Sequence, residues 1–68
     1  MTTIIKQKLH SYHFSDSDIE TILTIYDHDR VWANIKHAER AMIDRKRKIT
    51  DASIFVNKAI IQNWALHN

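Results

Sequence analysis

The side chains that could ligate a metal or move a proton are few and scattered. His10 and His13 stand three apart in HSYH, a spacing at which one helix face can present two imidazoles to a metal. Two ligands do not make a site, His28 could join them only through folding, and no cysteine exists to complete a set. Asp27 and Asp29 flank His28 in DHD and could in principle hold magnesium, but helix capping explains them better. No HExxH, GxSxG or Walker-type GxxxxGK sequence occurs, and a chain with no glycine cannot build a phosphate-cradling loop. A domain this small also has little interior in which to bury and support catalytic groups. The expectation is a protein that is not an enzyme and carries no cofactor and no metal.

Cationic chemistry is better represented. Arg45, Lys46, Arg47 and Lys48 follow one another directly, and Lys36, Arg40, Ile43 and Arg47 recur at helical spacing as a basic stripe with one apolar member. With Lys58 these residues could contact nucleic-acid phosphates without reading sequence. Part of the run has a local reason, since cations at a helix C-terminus complement its dipole by about 0.3–1 kcal/mol each. Trp32, Phe55 and Trp64 could stack on bases, but tryptophans in an apolar pattern more often serve as core or as protein-interface anchors. A helix-turn-helix reading of the last two helices fails because the second is too apolar to lie between phosphate walls.

Composition bounds the rest. The chain has 68 residues, ten Lys and Arg against eight Asp and Glu, and a formal charge of +2, too mild to imply nucleic acid by itself. It is near the lower size at which one core sustains a fold without staples. Without cysteine there are no disulfides and no thiolate zinc sites, and an intracellular, cytoplasmic location is the default. No secretory leader is evident and no stretch approaches the roughly 18 apolar residues of a membrane span, so a soluble protein is expected.

Glycine and proline are both absent, which removes the usual means of making hairpins and leaves short polar junctions between helices. The expected fold is all-α, a single domain over residues 1–68 built as a small bundle of three to four helices at 3–11, 15–27, 29–48 and 51–66. In HFSDSDIE, Ser15 can cap the second helix, Asp16 and Asp18 suit its first turn, and Phe14 can staple onto Ile19. Ile19, Ile22, Leu23 and Tyr26 give this helix its apolar stripe; Val31, Ile35, Ala38 and Met42 give the third its core face.

The last helix is apolar on several sides at once. Ile54, Ile61 and Ala65 share one side, Phe55, Ala59 and Leu66 another, and Val56, Ile60 and Trp64 a third, leaving Lys58 and Gln62 as the polar strip. Three short helices can hardly cover it all, so part of it should meet another chain. The expected partner-binding residues are Trp64, near the centre, with Ile60, Val56, Phe55 and Trp32.

ITDASIFVNKAI, Ile49 to Ile60, resembles a short module near the C-terminus of replication initiator and primosome-type proteins of Gram-positive plasmids, phages and mobile islands. That pattern has Ile, then Asn-Pro, an aromatic with an apolar neighbour, an Ala-Ile or Ala-Leu pair and a trailing Trp. Ile49, Phe55, Val56, Ala59-Ile60 and Trp64 match it, and YDHDRVWANIKHAERAMIDRKRK, from Tyr26, looks like the preceding helix pair. Asp51 stands for the Asn and Ala52 for the Pro; Asp caps as well as Asn, and Ala lacks only the preset φ of proline. The similarity covers about residues 15–64. It implies a replication context, and at this size the chain looks like the small primase-associated proteins of phage-inducible chromosomal islands.

Two functions follow as expectations. In the first, the chain docks on a helicase loader, helicase or primase to recruit or sequester it. In the second, it is a DNA-binding accessory working through Lys36, Arg40, Arg45–Lys48 and Lys58. A membrane partner is not expected, and assembly with further copies of the chain stays open.

Overall fold

The computed structural model describes residues 2–44 and 51–66, and among them contains four helices and no strand. They are α1 (Thr2–Ser11), α2 (Asp16–Ile25), α3 (His28–Asp44) and α4 (Ala52–Gln62). None is long and apolar enough to cross a membrane. The expected all-α bundle is the observed fold.

Helix α3 is its hub, packing on α1, α2 and α4, while α1 also packs on α2. The stripe of α3 explains the outcome: Val31, Ile35 and Ala38 are fully buried and Met42 packs against them. Ile5 and Leu9 of α1, Ile19 and Ile22 of α2, and Val56, Ala59 and Ile60 of α4 complete the core. Phe14, in the α1–α2 junction, is buried as its role before the α2 cap demands.

Side-chain caps form at two of the three expected helix starts, Ser15 for α2 and Asp51 for α4; at the start of α3 Asp27 contributes its backbone carbonyl to the Val31 N–H. The Asp18 N–H donates to Ser15 Oγ at 3.1 Å and the Ile54 N–H to Asp51 Oδ1 at 3.4 Å. Helix α2 stops at Ile25, two residues short of the expected end, because Tyr26 adopts an extended backbone at φ −111°, ψ 146°.

Two other stops use left-handed residues in place of glycine. After α1, His13 lies at φ 70°; the Phe14 N–H reaches back to Leu9 O at 3.1 Å and the His13 N–H to His10 O at 2.9 Å. After α4, Asn63 lies at φ 51°, with the Trp64 N–H on Ala59 O at 3.1 Å and the Asn63 N–H on Ile60 O at 3.3 Å. Each is the six-to-one and five-to-two pairing of a Schellman stop, built on His and Asn, residue types that tolerate this region better than most. This is why α4 ends at Gln62 and not at residue 66, and why Trp64 lies beyond the helix.

Candidate docking surface

Of the five residues expected to bind a partner, two are core. Val56 and Ile60 have no exposed surface, because the side of α4 that carries them, with Ala59, is the side laid against the bundle. They are unavailable to a partner while the domain is folded. Trp64, Phe55 and Trp32 are half-buried and packed against the core. The Trp64 ring meets Phe55 edge-on at 5.1 Å and His37 of α3 at 6.4 Å, and its Nε1 donates to Gln62 Oε1 at 2.8 Å. It closes the α3–α4 seam and shows only part of its surface to solvent.

The expected basic residues divide between two helices. Lys36 and Arg40 are exposed on the outer face of α3, with Lys36 Nζ 5.6 Å from the centre of the Trp32 ring. Ile43 of the same stripe is exposed as well. Lys58 is exposed on α4, whereas Arg45, Lys46, Arg47 and Lys48 lie outside the described residues. The two histidines of HSYH do not act together: His10 Nε2 pairs with Asp16 Oδ1 at 2.8 Å, and His13 turns the chain. Among the described residues no group of three or more His, Asp or Glu is placed to hold a metal.

Six large aliphatic side chains are exposed among the described residues: Ile4 on α1, Ile43 on α3, Leu66 after α4, and Ile25, Ile54 and Ile61 on α2 and α4. Ile54 is 63% exposed, Ile61 52% and Ile25 64%. Between the two helices lies an open groove of about 320 Å³, walled by Asp18, Thr21 and Ile22 of α2 and by Ser53, Ile54 and Asn57 of α4. The first turns of both helices therefore share one end of the groove. At the far end, Arg30 spans both helices: its guanidinium lies 4.6 Å from the centre of the Tyr26 ring, just past α2, and its Nη2 donates to Ile60 O and Ile61 O at 3.1 Å each. Hence α2 and α4 run side by side in the same direction.

Ile54 and Ile61 follow from sequence by one further step. They stand four before and three after Lys58, so they share its helix face, and the lysine marks that face as the wet one.

A second feature, also outside the expected set, holds α4 in place. Asn34 is fully buried, the one polar residue within the core stripe of α3. Its Nδ2 donates to Arg30 O and to Asn63 Oδ1, and its Oδ1 accepts from the Ala65 N–H, all at 2.8 Å. Arg30 and Asn34, one helical turn apart, thus tie down the C-terminal end of α4. On the opposite flank of α3, Glu39 accepts from Lys8 at 2.8 Å and from the Tyr12 hydroxyl, anchoring α1. Burial pushes the Glu39 carboxyl up, but the hydrogen bonds from Lys8 and Tyr12 and the lysine charge outweigh it and hold the group below its usual range. Burial, then the bond and charge of Glu39, push the Tyr12 hydroxyl well above its ordinary value.

Fold and surface together define a small all-α bundle with its core closed and aliphatic side chains exposed on its outer faces, among them Ile54 and Ile61 on α4. In comparisons with known proteins, no family model, no curated protein and no solved structure matches the chain.

Proposed function

We propose that this chain is a protein-interaction module, not an enzyme, which uses the outer side of α4 and the adjoining α2 edge to dock on a component of the replication machinery. The observation that carries the docking role is the exposure of Ile25, Ile54 and Ile61 on α2 and α4, with Ile54 in the wall of the groove between those helices, in a domain whose core is already filled. Covering a large aliphatic side chain is worth about 1.5–3 kcal/mol when complete, so three half-covered ones offer a partner several kcal/mol. The resemblance of Ile49–Ile60 to replication modules supplies the partner class: a helicase loader, helicase or primase. Occupying such a partner would recruit it or withdraw it from competing use.

The test is binding of the purified chain to purified helicase loader, helicase and primase, repeated with Ile54→Asp and Ile61→Asp. Both positions are exposed, so the variants should keep the parent's melting curve while losing at least about ten-fold in affinity, the equivalent of ~1.4 kcal/mol. Undiminished binding by both variants would move the interface elsewhere.

The exposure of Lys36 and Arg40 on one face of α3 favours a second reading, the accessory DNA-binding protein. It expects an affinity for duplex DNA that falls with salt at a log–log slope of about −0.9 per phosphate contact, and a flatter slope when Lys36, Arg40 and Arg45–Lys48 are neutralised. No DNA binding at low salt would dispose of it.

A further inference from the structure

We propose that α1 is an acid-released latch: it leaves the bundle as a unit while α2, α3 and α4 stay together, and the Glu39 carboxylate is its catch. The release is independent of the docking role above. It follows from a difference in how the two ends of the chain are fastened.

The side-chain ties from α1 and Tyr12 to α2 and α3 end on groups that titrate. Lys8 Nζ and the Tyr12 hydroxyl both reach Glu39 of α3, the lysine at 2.8 Å. Lys6 meets Glu20 of α2 at 3.6 Å, His10 meets Asp16 at 2.8 Å, and Thr2 Oγ1 lies 3.2 Å from Nδ1 of His28. By contrast, α4 is fastened by groups whose charge does not change in acid: the Asn34 amide bonds Asn63 Oδ1 and the Ala65 N–H, and the Arg30 guanidinium bonds the Ile60 and Ile61 carbonyls. Asp51 titrates, but its bonds to Ser53 and Ile54 stay within the start of α4. Acid therefore acts on one fastening and spares the other.

Among the ties of α1, those to Glu39 carry the most weight. Lys6–Glu20 and His10–Asp16 are exposed pairs, with Glu20 72% and Asp16 88% open to solvent, and such pairs contribute little. The Glu39 side chain is only 24% exposed and takes two donors at once. Among the described residues no ion pair or hydrogen bond reaches it from α2 or α4; on α3 itself, Lys36 stands one turn before it and Arg40 next to it. Burial pushes the carboxyl up, but Lys8 and Tyr12 outweigh it and hold the group below its usual range. The sign follows. Docking of α1 gains from Glu39 in full above about pH 4.3, the value of a released carboxyl, and loses that gain as pH falls through the lower docked value.

The apolar grip of α1 is small, since Ile5 and Leu9 are the only buried residues among its ten. A helix of that length has little stability of its own, so once off the bundle it unravels and its amides exchange with solvent. Release bares Ile5, Leu9 and the part of the core they cover.

The experiment is hydrogen exchange on the intact chain, followed amide by amide by NMR from about pH 6 to about pH 3 and expressed as opening constants. Lys8 and Leu9 report α1; Ala59 and Ile60 report α4. In the parent, Leu9 should open more readily than Ala59, and below about pH 4.3 its opening constant should rise by up to about ten-fold per pH unit, the slope for uptake of one proton. Ile60→Val, which removes one buried methyl group, should raise the Ala59 opening constant about five-fold and leave those of Lys8 and Leu9 unchanged, because α4 stays docked when α1 leaves. Glu39→Gln should raise the Leu9 constant about ten-fold at neutral pH and remove most of its acid rise. Should that variant fail to fold, Tyr12→Phe keeps the Lys8–Glu39 pair and should raise the Leu9 constant about three- to ten-fold, with the acid rise retained. Leu9 and Ala59 constants that coincide in the parent and rise together in Ile60→Val make the bundle one cooperative unit and overturn the proposal. So does an acid rise undiminished in Glu39→Gln or, where Tyr12→Phe takes its place, a Leu9 constant equal to the parent's.

Discussion

Replacing Asn34 by leucine tests whether α4 is held by hydrogen bonds or merely by apolar contact. Leucine repeats the branching and heavy-atom count of the amide but is bulkier, so the substitution leaves no cavity, crowds the site somewhat and puts an apolar group into a fully buried place in the α3 stripe. By area alone it should be neutral or stabilising. The hydrogen-bond account says otherwise. Leucine strands the Ala65 N–H and Asn63 Oδ1, both partly buried and both satisfied by Asn34 at 2.8 Å. At about 1–1.5 kcal/mol for each orphaned group, toward the low end of the usual range because some water can reach them, the cost is ~2–3 kcal/mol. A domain of 68 residues has a total stability of about 3–10 kcal/mol, so this is a large share. It corresponds to a fall in melting temperature on the order of 10–20 °C.

Thermal and urea unfolding followed by far-UV circular dichroism reads the effect directly. Asn34→Ala should cost more than leucine, since it leaves the same orphans and a void. Asn34→Asp should behave differently again: the carboxylate still accepts from Ala65 but faces the Arg30 carbonyl and Asn63 Oδ1 where a donor is required. Its folded-state pKa is raised, so the variant should regain stability on acidification through that value. The double variant Asn34→Leu/Asn63→Gly removes one orphan and relieves the left-handed residue, and should recover about 1 kcal/mol relative to Asn34→Leu. A leucine variant that melts at or above the parent would refute the reasoning and leave α4 held by its apolar face alone.

Three further outcomes are expected. His13→Gly should stabilise the domain by about 0.5–1 kcal/mol in denaturant melts, because the strain of φ 70° disappears and part of the gain is returned as unfolded-state entropy. Glu39 titrates below its unfolded value, so its contribution is complete above about pH 4.3 and is lost as pH falls through the lower folded value; Glu39→Gln should flatten that acid limb, while the raised Tyr12 hydroxyl keeps its contribution up to about pH 10 and loses it above. Trp64→Ala should lower stability by about 2–4 kcal/mol through loss of the Phe55 and His37 contacts at the α3–α4 seam; a variant that melts like the parent but no longer binds would return Trp64 to the docking surface.

Much of the fold was legible because it depends on periodicity and local chemistry. The stripes of α2 and α3, the Ser15 and Asp51 caps and the buried Phe14 all follow from spacing and residue type. The turns were not legible in the same way. A chain without glycine offers no marker for a left-handed residue, and nothing local distinguishes His13 from His10 or Asn63 from Asn57. Where α4 stops depends on Asn34, 29 residues away, which takes Asn63 as a partner only in the folded state. The misplacement of Val56 and Ile60 has a related cause. When a helix is apolar on three sides, the pattern cannot say which side meets its own bundle, and only the polar marker Lys58 identifies the wet face. Asn34 itself was readable as a lone amide inside an apolar stripe, a position that demands partners.

The clamp and the exposed isoleucines of α4 are parts of one device. Helix α4 is attached chiefly to α3, and an 11-residue helix has little stability of its own. Left to apolar contact, it would fray from its C-terminal end, where Ile61 sits. Arg30 and Asn34 prevent this by bonding the final carbonyls of α4 and the turn after it, while Asp51 caps the other end. A partner reaching Ile54 and Ile61 therefore meets side chains on backbone that is already ordered, and binding need not bear that entropy cost again. The two roles separate in mutants. Ile61→Asp should remove affinity without changing stability, whereas Asn34→Leu should lower stability and reduce affinity only by the fraction of molecules in which the end of α4 has come loose.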